Sequence, residues 1–151
     1  MATDPFHSYM PQALEQARLA VDVDEVPVGA VIVRRGKIIG RGYNLTRTEN
    51  DPSAHAEIIA IRQACRALNT YRLEDCDLWV TLEPCTMCAG AIAHARIRRL
   101  YYGAADPKGG AVDSGVNFFA AATCHHTPEV YAGFDEAKSS DLLNQFFGSR
   151  R

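Results

Sequence analysis

Between about Phe6 and Val21, Leu14, Ala17, Arg18 and Val21 recur at helical spacing, which predicts an amphipathic first helix laid on a sheet. The period then changes. Val26-Pro-Val-Gly-Ala-Val-Ile-Val is a short β-branched run, Arg35-Gly36-Lys37 has the composition of a turn, and Ile38-Ile39-Gly40-Arg41-Gly42-Tyr43 follows, so this stretch reads as a hairpin. Asn44 to Ser53 is polar and ends in Asp51-Pro52-Ser53, residues of turns and helix starts. Helical spacing returns over Ala54 to Leu68, with Ile58, Ile61, Cys65 and Leu68 on one stripe. Asp77 to Leu82 predicts a buried strand, Pro84 opens a helix running from Cys85 to Ala95, and Ile97 to Gly103 predicts another strand. After a glycine-rich loop at Asp106 to Gly115, a short strand is expected at Glu129 to Ala132 and a closing amphipathic helix at Asp135 to Phe147. Strands and helices alternate after the hairpin, which predicts an α/β layered domain with a mixed sheet. No linker, repeat or low-complexity tract interrupts the chain, so one domain is expected over residues 1–151.

Charge and cysteine usage narrow the classes. A net charge of −2 argues against nonspecific coating of nucleic acid, which needs an overall basic surface. The charge is uneven, however: positions 34 to 48 hold Arg34, Arg35, Lys37, Arg41 and Arg47 with no acid. That run is either a locally basic face or a set of solvated strand ends. No stretch approaches the ~18 consecutive apolar residues of a membrane span, and Asp4, Pro5 and His7 interrupt the segment where an export signal would be apolar. A cytoplasmic location and no membrane partner are expected. Five cysteines without an export signal favour metal binding or burial over a disulfide framework.

The candidate chemistry lies in two motifs. His55-Ala-Glu57 stands at the start of the second predicted helix and Pro84-Cys-Thr-Met-Cys88 at the start of the third. Two cysteines three apart at a helix start share a face, and the unpaired N–H groups and positive helix end favour their thiolates. His55, Cys85 and Cys88 thus give zinc three protein ligands and leave its fourth tetrahedral position open, as in a catalytic site. Two thiolates cancel the charge of Zn²⁺, so its water is acidified less than in an all-histidine site and a general base becomes useful. Glu57, two residues beyond a ligand and in the first helical turn, can fill that role. Either motif alone has a blander reading, since C-x-x-C also serves as a redox pair or half of a structural zinc site. A structural site needs a fourth ligand, for which Cys65, Cys76, His94 and Cys124 are candidates, although Cys65 and Cys76 have the character of core cysteines.

Together, H-x-E and P-C-x-x-C resemble the signature of the zinc deaminases that act on nucleobases. Val26-Pro-Val-Gly-Ala-Val, Asp51-Pro-Ser-Ala-His-Ala-Glu, Thr81-Leu-Glu-Pro-Cys-Thr-Met-Cys-Ala-Gly-Ala, Tyr102-Gly-Ala-Ala-Asp-Pro-Lys and Asn144-Gln-Phe-Phe extend the resemblance over about residues 6 to 147. They resemble bacterial tRNA adenosine deaminases, within the cytidine/deoxycytidylate deaminase superfamily. The resemblance implies a three-layer cytidine-deaminase-like fold, with a mixed central sheet of about five strands flanked by helices. It also implies a homodimer with one zinc per chain, and conversion of the wobble adenosine of a tRNA anticodon stem-loop to inosine, typically in an arginine tRNA with an ACG anticodon. Water would attack adenine C6 while Glu57 passes protons to the ring nitrogen and the leaving ammonia. By motif position, Asn44 would hydrogen-bond the flipped base, and Asp106 and Lys108 would contact the sugar and backbone beside it. Phe146, Phe147, Arg150 and Arg151 would approach the anticodon loop from the last helix. A plain turn residue at Asn44 and a buried stripe at the two phenylalanines are the competing readings. The region Asn117 to His126 matches the family less well; Cys124-His125-His126 there is either a solvated or RNA-facing loop or a second metal site.

Two rival functions share these residues. A deaminase of free bases, such as guanine or cytosine, uses the same metal site, but needs neither the Asp106-Pro-Lys108 loop nor the Phe146-Phe147-x-x-Arg150-Arg151 end. A noncatalytic RNA-binding subunit on the same fold would be expected to lack the proton-carrying acid, whereas Glu57 is present.

Overall fold

The computed structural model describes residues 6–149. In chain order it contains α1 (Met10–Asp22), β1 (Gly29–Arg34), β2 (Lys37–Tyr43), α2 (Ala56–Leu68), β3 (Cys76–Leu82), α3 (Thr86–Ala95) and β4 (Arg99–Ala104). A 3₁₀ turn at Phe118–Ala120, β5 (Glu129–Tyr131) and α4 (Glu136–Gly148) complete it. The sheet order is β2-β1-β3-β4-β5, antiparallel between β2, β1 and β3, and parallel between β3, β4 and β5. Alternating residues of the strands supply two cores. Ile32, Leu78, Val80, Leu100 and Tyr102 face α2 and α3, while Val31, Val33, Trp79 and Tyr101 form a core with α1. Trp79 stacks on Tyr101 with centroids 3.8 Å apart, an arrangement that adds about 0.5–1.5 kcal/mol beyond area burial.

Two helical stripes differ from the sequence expectation, for one reason. In α1 the buried residues are Met10, Ala13, Leu14, Ala17 and Ala20, while Arg18 and Val21 are exposed. The helix also begins at Met10, with Pro11 in its first turn where no N–H partner is needed. In α2 the buried face is Ala56, Ala60, Ile61 and Ala64, and the expected Ile58, Cys65 and Leu68 are only half-buried. Alanines form the contact faces because the helices approach the sheet closely. A Cβ added at Gly42 of β2 would lie 2.4 Å from the Ala56 carbonyl oxygen, and one at Gly40 would lie 2.3 Å from that of Ala60. The missing side chains let α2 lie directly on β2, and this fixes where its first turn begins.

The basic run of positions 34 to 48 resolves largely into paired strand and loop ends. Arg34 and Arg35 meet Asp75 at 2.8 and 3.8 Å, and Arg47 meets Asp24 at 3.7 Å. Among the described residues, no helix is long and apolar enough to cross a membrane.

Candidate metal centre and substrate pocket

The site forms where two helices start next to each other. His55 is the N-cap of α2 and Cys85 the N-cap of α3, both with extended backbone. An N-cap side chain ordinarily bonds the N–H groups of its own helix. Neither does so here; both turn toward a shared centre. The α2 start is instead capped by Asn44, whose Oδ1 accepts the Ala56 N–H at 2.9 Å. This bond fixes the orientation of the Asn44 amide and leaves its NH₂ group available to the pocket that Asn44 lines.

The His55 Nδ1 lies 3.6 Å from the Cys85 Sγ and 3.5 Å from the Cys88 Sγ, and the three ligand atoms all fall within 4.8 Å of one another. Around a tetrahedral ion with metal–sulfur bonds of ~2.3 Å and metal–nitrogen bonds of ~2.0–2.1 Å, the sulfur–nitrogen separation is ~3.6 Å. The donor set and its spacing therefore fit a borderline-soft divalent ion. Among the described residues this is the group that could hold a metal, and none of Cys65, Cys76, His94 and Cys124 joins it. The Cys124 thiol donates instead to the His126 carbonyl at 3.1 Å, and the His126 Nε2 lies 2.6 Å from the Ile97 carbonyl oxygen. The first contact closes the loop on itself, and the second ties it to the segment just before β4.

Electrostatics distinguish the members of the cluster. A hydrogen bond from Cys88, with His55 beside it, holds the Cys85 thiol down to about 4. Donating that bond, together with burial, pushes Cys88 far up. The hydrogen bond with Cys85 raises His55. Glu57 is 4% exposed. Burial pushes its carboxyl up to about 7, and the Cys85 charge adds to that effect. A carboxyl near neutrality beside a metal-ligand group is suited to both taking and giving a proton.

The adjoining pocket, about 330 Å³, is lined by His55, Glu57 and Cys85 together with Asn44, Leu82 and Asp106. Across Val26, Leu82 and Asp106 it meets a groove of about 670 Å³ along α4, where Lys108, Leu143, Asn144 and Phe147 stand. The structure thus brings Asn44, Glu57, Asp106, Lys108 and Phe147 to one continuous surface with the ligands. Phe146 does not join them. It is buried on the other flank of α4, with Leu142, Gln145 and Ser149, because consecutive helical residues point about 100° apart. Of the two phenylalanines expected to approach the anticodon loop, Phe146 thus follows the competing reading of a buried residue, while Phe147 is exposed in the groove. Arg150 and Arg151 lie outside the described residues.

Sequence reasoning missed two buried carboxylates that shape the pocket walls. Glu25 accepts the Thr48 N–H and hydroxyl, both at 2.6 Å, and the Arg47 N–H at 3.3 Å, which orders the loop beyond Asn44. Glu83, 2% exposed, does the same for the loop that carries Asp106. The available signal was an acid set directly against an apolar run: Glu25 before Val26 and Glu83 after Leu82.

A five-stranded mixed sheet between two layers of helices, with ligands at two adjacent helix starts, is the cytidine-deaminase-like fold. The model of the MafB19-like deaminase family matches residues 6–151. A tRNA-specific adenosine deaminase of Agrobacterium fabrum is 60% identical over 143 residues, covering 95% of this chain and 94% of that protein. A structure solved in work on A-to-I editing by tRNA:A34 deaminases at the wobble position of transfer RNA is 61% identical. It superposes with a TM-score of 0.88, over 89% of this chain and 98% of its own. A guanine deaminase from Nitrosomonas europaea is more distant, 25% identical with a TM-score of 0.81, over 92% of this chain and 83% of its own. The chain belongs to the MafB19-like deaminases and, among them, to the bacterial tRNA adenosine deaminases.

Proposed function

We propose that this chain hydrolyses the wobble adenosine of a tRNA anticodon to inosine and ammonia, with an arginine tRNA bearing an ACG anticodon as the typical substrate. The observation that carries this reading is the placement of buried Glu57 beside the His55, Cys85 and Cys88 donors, in a pocket that continues into the groove lined by Lys108 and Phe147. The metal is zinc, one per chain; when bound, it supplies an acidified water molecule as the nucleophile for adenine C6. Glu57 takes the two protons of the attacking water in turn and delivers one to the ring nitrogen and one to the departing amino group, so that one water is consumed and one ammonia released. Its burial keeps bulk water from competing for those protons. The Asn44 NH₂ group donates to the flipped base while its carbonyl holds the helix start. Asp106 and Lys108 contact the sugar and backbone beside the base, Phe147 offers a ring to a neighbouring base, and Arg150 and Arg151 meet phosphates. The enzyme works as a cytoplasmic homodimer. A free base would make no use of the groove beyond Asp106.

The test is to incubate the zinc-loaded protein with an ACG anticodon stem-loop, a stem-loop of different anticodon, free guanine and free cytosine, following ammonia and inosine. Ammonia and inosine from the ACG stem-loop support the reading. Ammonia from guanine or cytosine with none from either stem-loop overturns it in favour of a free-base deaminase.

A further inference from the structure

The side of the pocket facing the groove is a loop, residues 105–114, rather than a strand or helix. A loop holds a functional geometry only if its backbone groups are satisfied in one arrangement, and here they converge on one side chain. Glu83 follows the last residue of β3 and precedes the Pro84-Cys85 step into α3. Its Oε1 accepts the Asp106 N–H at 2.9 Å and the Ser114 hydroxyl at 2.9 Å. Its Oε2 accepts the N–H groups of Val112, Asp113 and Ser114 at 3.0, 2.9 and 2.9 Å. The loop is wrapped directly on the carboxylate: a Cβ at Gly110 would lie 2.5 Å from the Glu83 Cδ. The chain of contacts then continues outward, since the Asp106 Oδ1 accepts the Lys108 and Gly109 N–H groups at 3.2 and 3.0 Å. Five donors aimed at two oxygens suit only an acceptor. A glutamine of the same shape would turn an NH₂ group toward donors and leave some of them unpaired in a buried place.

Glu83 also borders the catalytic pocket, which raises a second role, that of another proton carrier. Its occupancy argues against this, because both oxygens are already engaged by the loop. We propose that Glu83 is a positioning residue, an internal anchor that holds the 105–114 loop so that Asp106 and Lys108 face the nucleotide next to the reacting base. This inference rests on the proposed contacts of Asp106 and Lys108 with substrate.

The test compares wild-type protein, Glu83→Gln, Asp106→Ala and the double variant on the ACG stem-loop, with zinc content measured on each preparation. Glu83→Gln should raise KM about tenfold or more, leave kcat within about threefold and keep one zinc per chain. In the Asp106→Ala background the same change should raise KM by less than about threefold, because the Asp106 side chain is gone and with it the Oδ1 bonds that carry the anchor on to the Lys108 backbone. A fall in kcat at unchanged KM would make Glu83 a proton carrier and overturn the proposal, as would loss of zinc or full additivity of the two substitutions. Ser114→Ala, which removes one donor from the exposed side of the same network, decides the matter if Glu83→Gln fails to fold. A moderate rise in KM supports the anchor, and an unchanged KM refutes it. A wild-type protein that does not turn over the stem-loop at all would defeat the functional reading itself, an outcome distinct from a working wild type whose KM ignores Glu83.

Discussion

Adding one methyl group to β2 tests how the site is positioned. In Gly42→Ala the new Cβ would stand 2.4 Å from the Ala56 carbonyl oxygen and 2.8 Å from the Ala60 nitrogen, both backbone atoms of α2. Ordinary contact requires about 1 Å more, and backbone cannot yield as a flexible side chain does, so α2 must lift from the sheet at its first turn. Overpacking of this kind costs about 1–3 kcal/mol, and at about 2–4 °C per kcal/mol for a chain of this size the melting temperature should fall by several degrees. The larger effect falls on chemistry, because His55 stands at the N-cap position of this turn and Glu57 is the second residue of the helix. A displacement near 1 Å of a catalytic group costs about 10²-fold in rate. Gly40→Ala is the control: its Cβ would stand 2.3 Å from the Ala60 carbonyl oxygen, a similar clash one turn further along α2. Single-turnover inosine formation and thermal melting on both variants should show similar losses of stability, with a much greater loss of rate in Gly42→Ala. Equal rates in the two variants, or a wild-type rate in Gly42→Ala, would refute the idea that the packing of α2 on β2 sets the position of His55 and Glu57.

Burial pushes the Glu25 carboxyl up, but the Thr48 hydroxyl and N–H, the Arg47 N–H and the Arg47 charge outweigh it and hold it below its ordinary 4.5. The stability it contributes is therefore present above about pH 4.5 and is lost as pH falls through its lower folded value; Glu25→Gln should cost more stability at pH 7 than at pH 3, and equal losses in urea titrations at the two values would contradict this. Asn44→Ala strips the partner from the Ala56 N–H and should cost about 0.5–2 kcal/mol in urea unfolding while raising KM for the stem-loop; a change in neither would remove both roles given to Asn44. Cys124→Ala combined with His126→Ala should leave elemental zinc at one per chain, whereas a drop from two would reveal a second metal at the loop before β5.

The grouping of His55, Cys85 and Cys88, which could hold a metal, was legible in the sequence because its signals are local. H-x-E and P-C-x-x-C each sit at a helix start, and a helix start is marked within a few residues by turn composition and proline. Element order and the mixed sheet followed from changes of period. The contact faces of α1 and α2 were less legible, since Ala13, Ala60 and Ala64 carry little hydropathy, yet they form the contact when glycines opposite admit a close approach. Glu25 and Glu83 were invisible as anchors because their partners lie 22 to 31 residues away in loops without periodicity. The separation of Phe146 from Phe147 depended on which side of α4 meets α1, a tertiary fact that the adjacent letters do not carry.

The most direct measurement is made on Glu57→Gln, which keeps the size of the side chain and removes its capacity to accept a proton. Zinc content, stem-loop affinity and single-turnover inosine formation are measured on one preparation beside wild type. Zinc should stay at one per chain, affinity should remain close to wild type, and the rate should fall by at least the ~10²–10⁴-fold typical of losing general acid–base catalysis. Inosine formed at an undiminished rate would mean that another group carries the proton, and loss of zinc together with activity would make Glu57 a ligand or a structural residue; either result contradicts the role assigned to it.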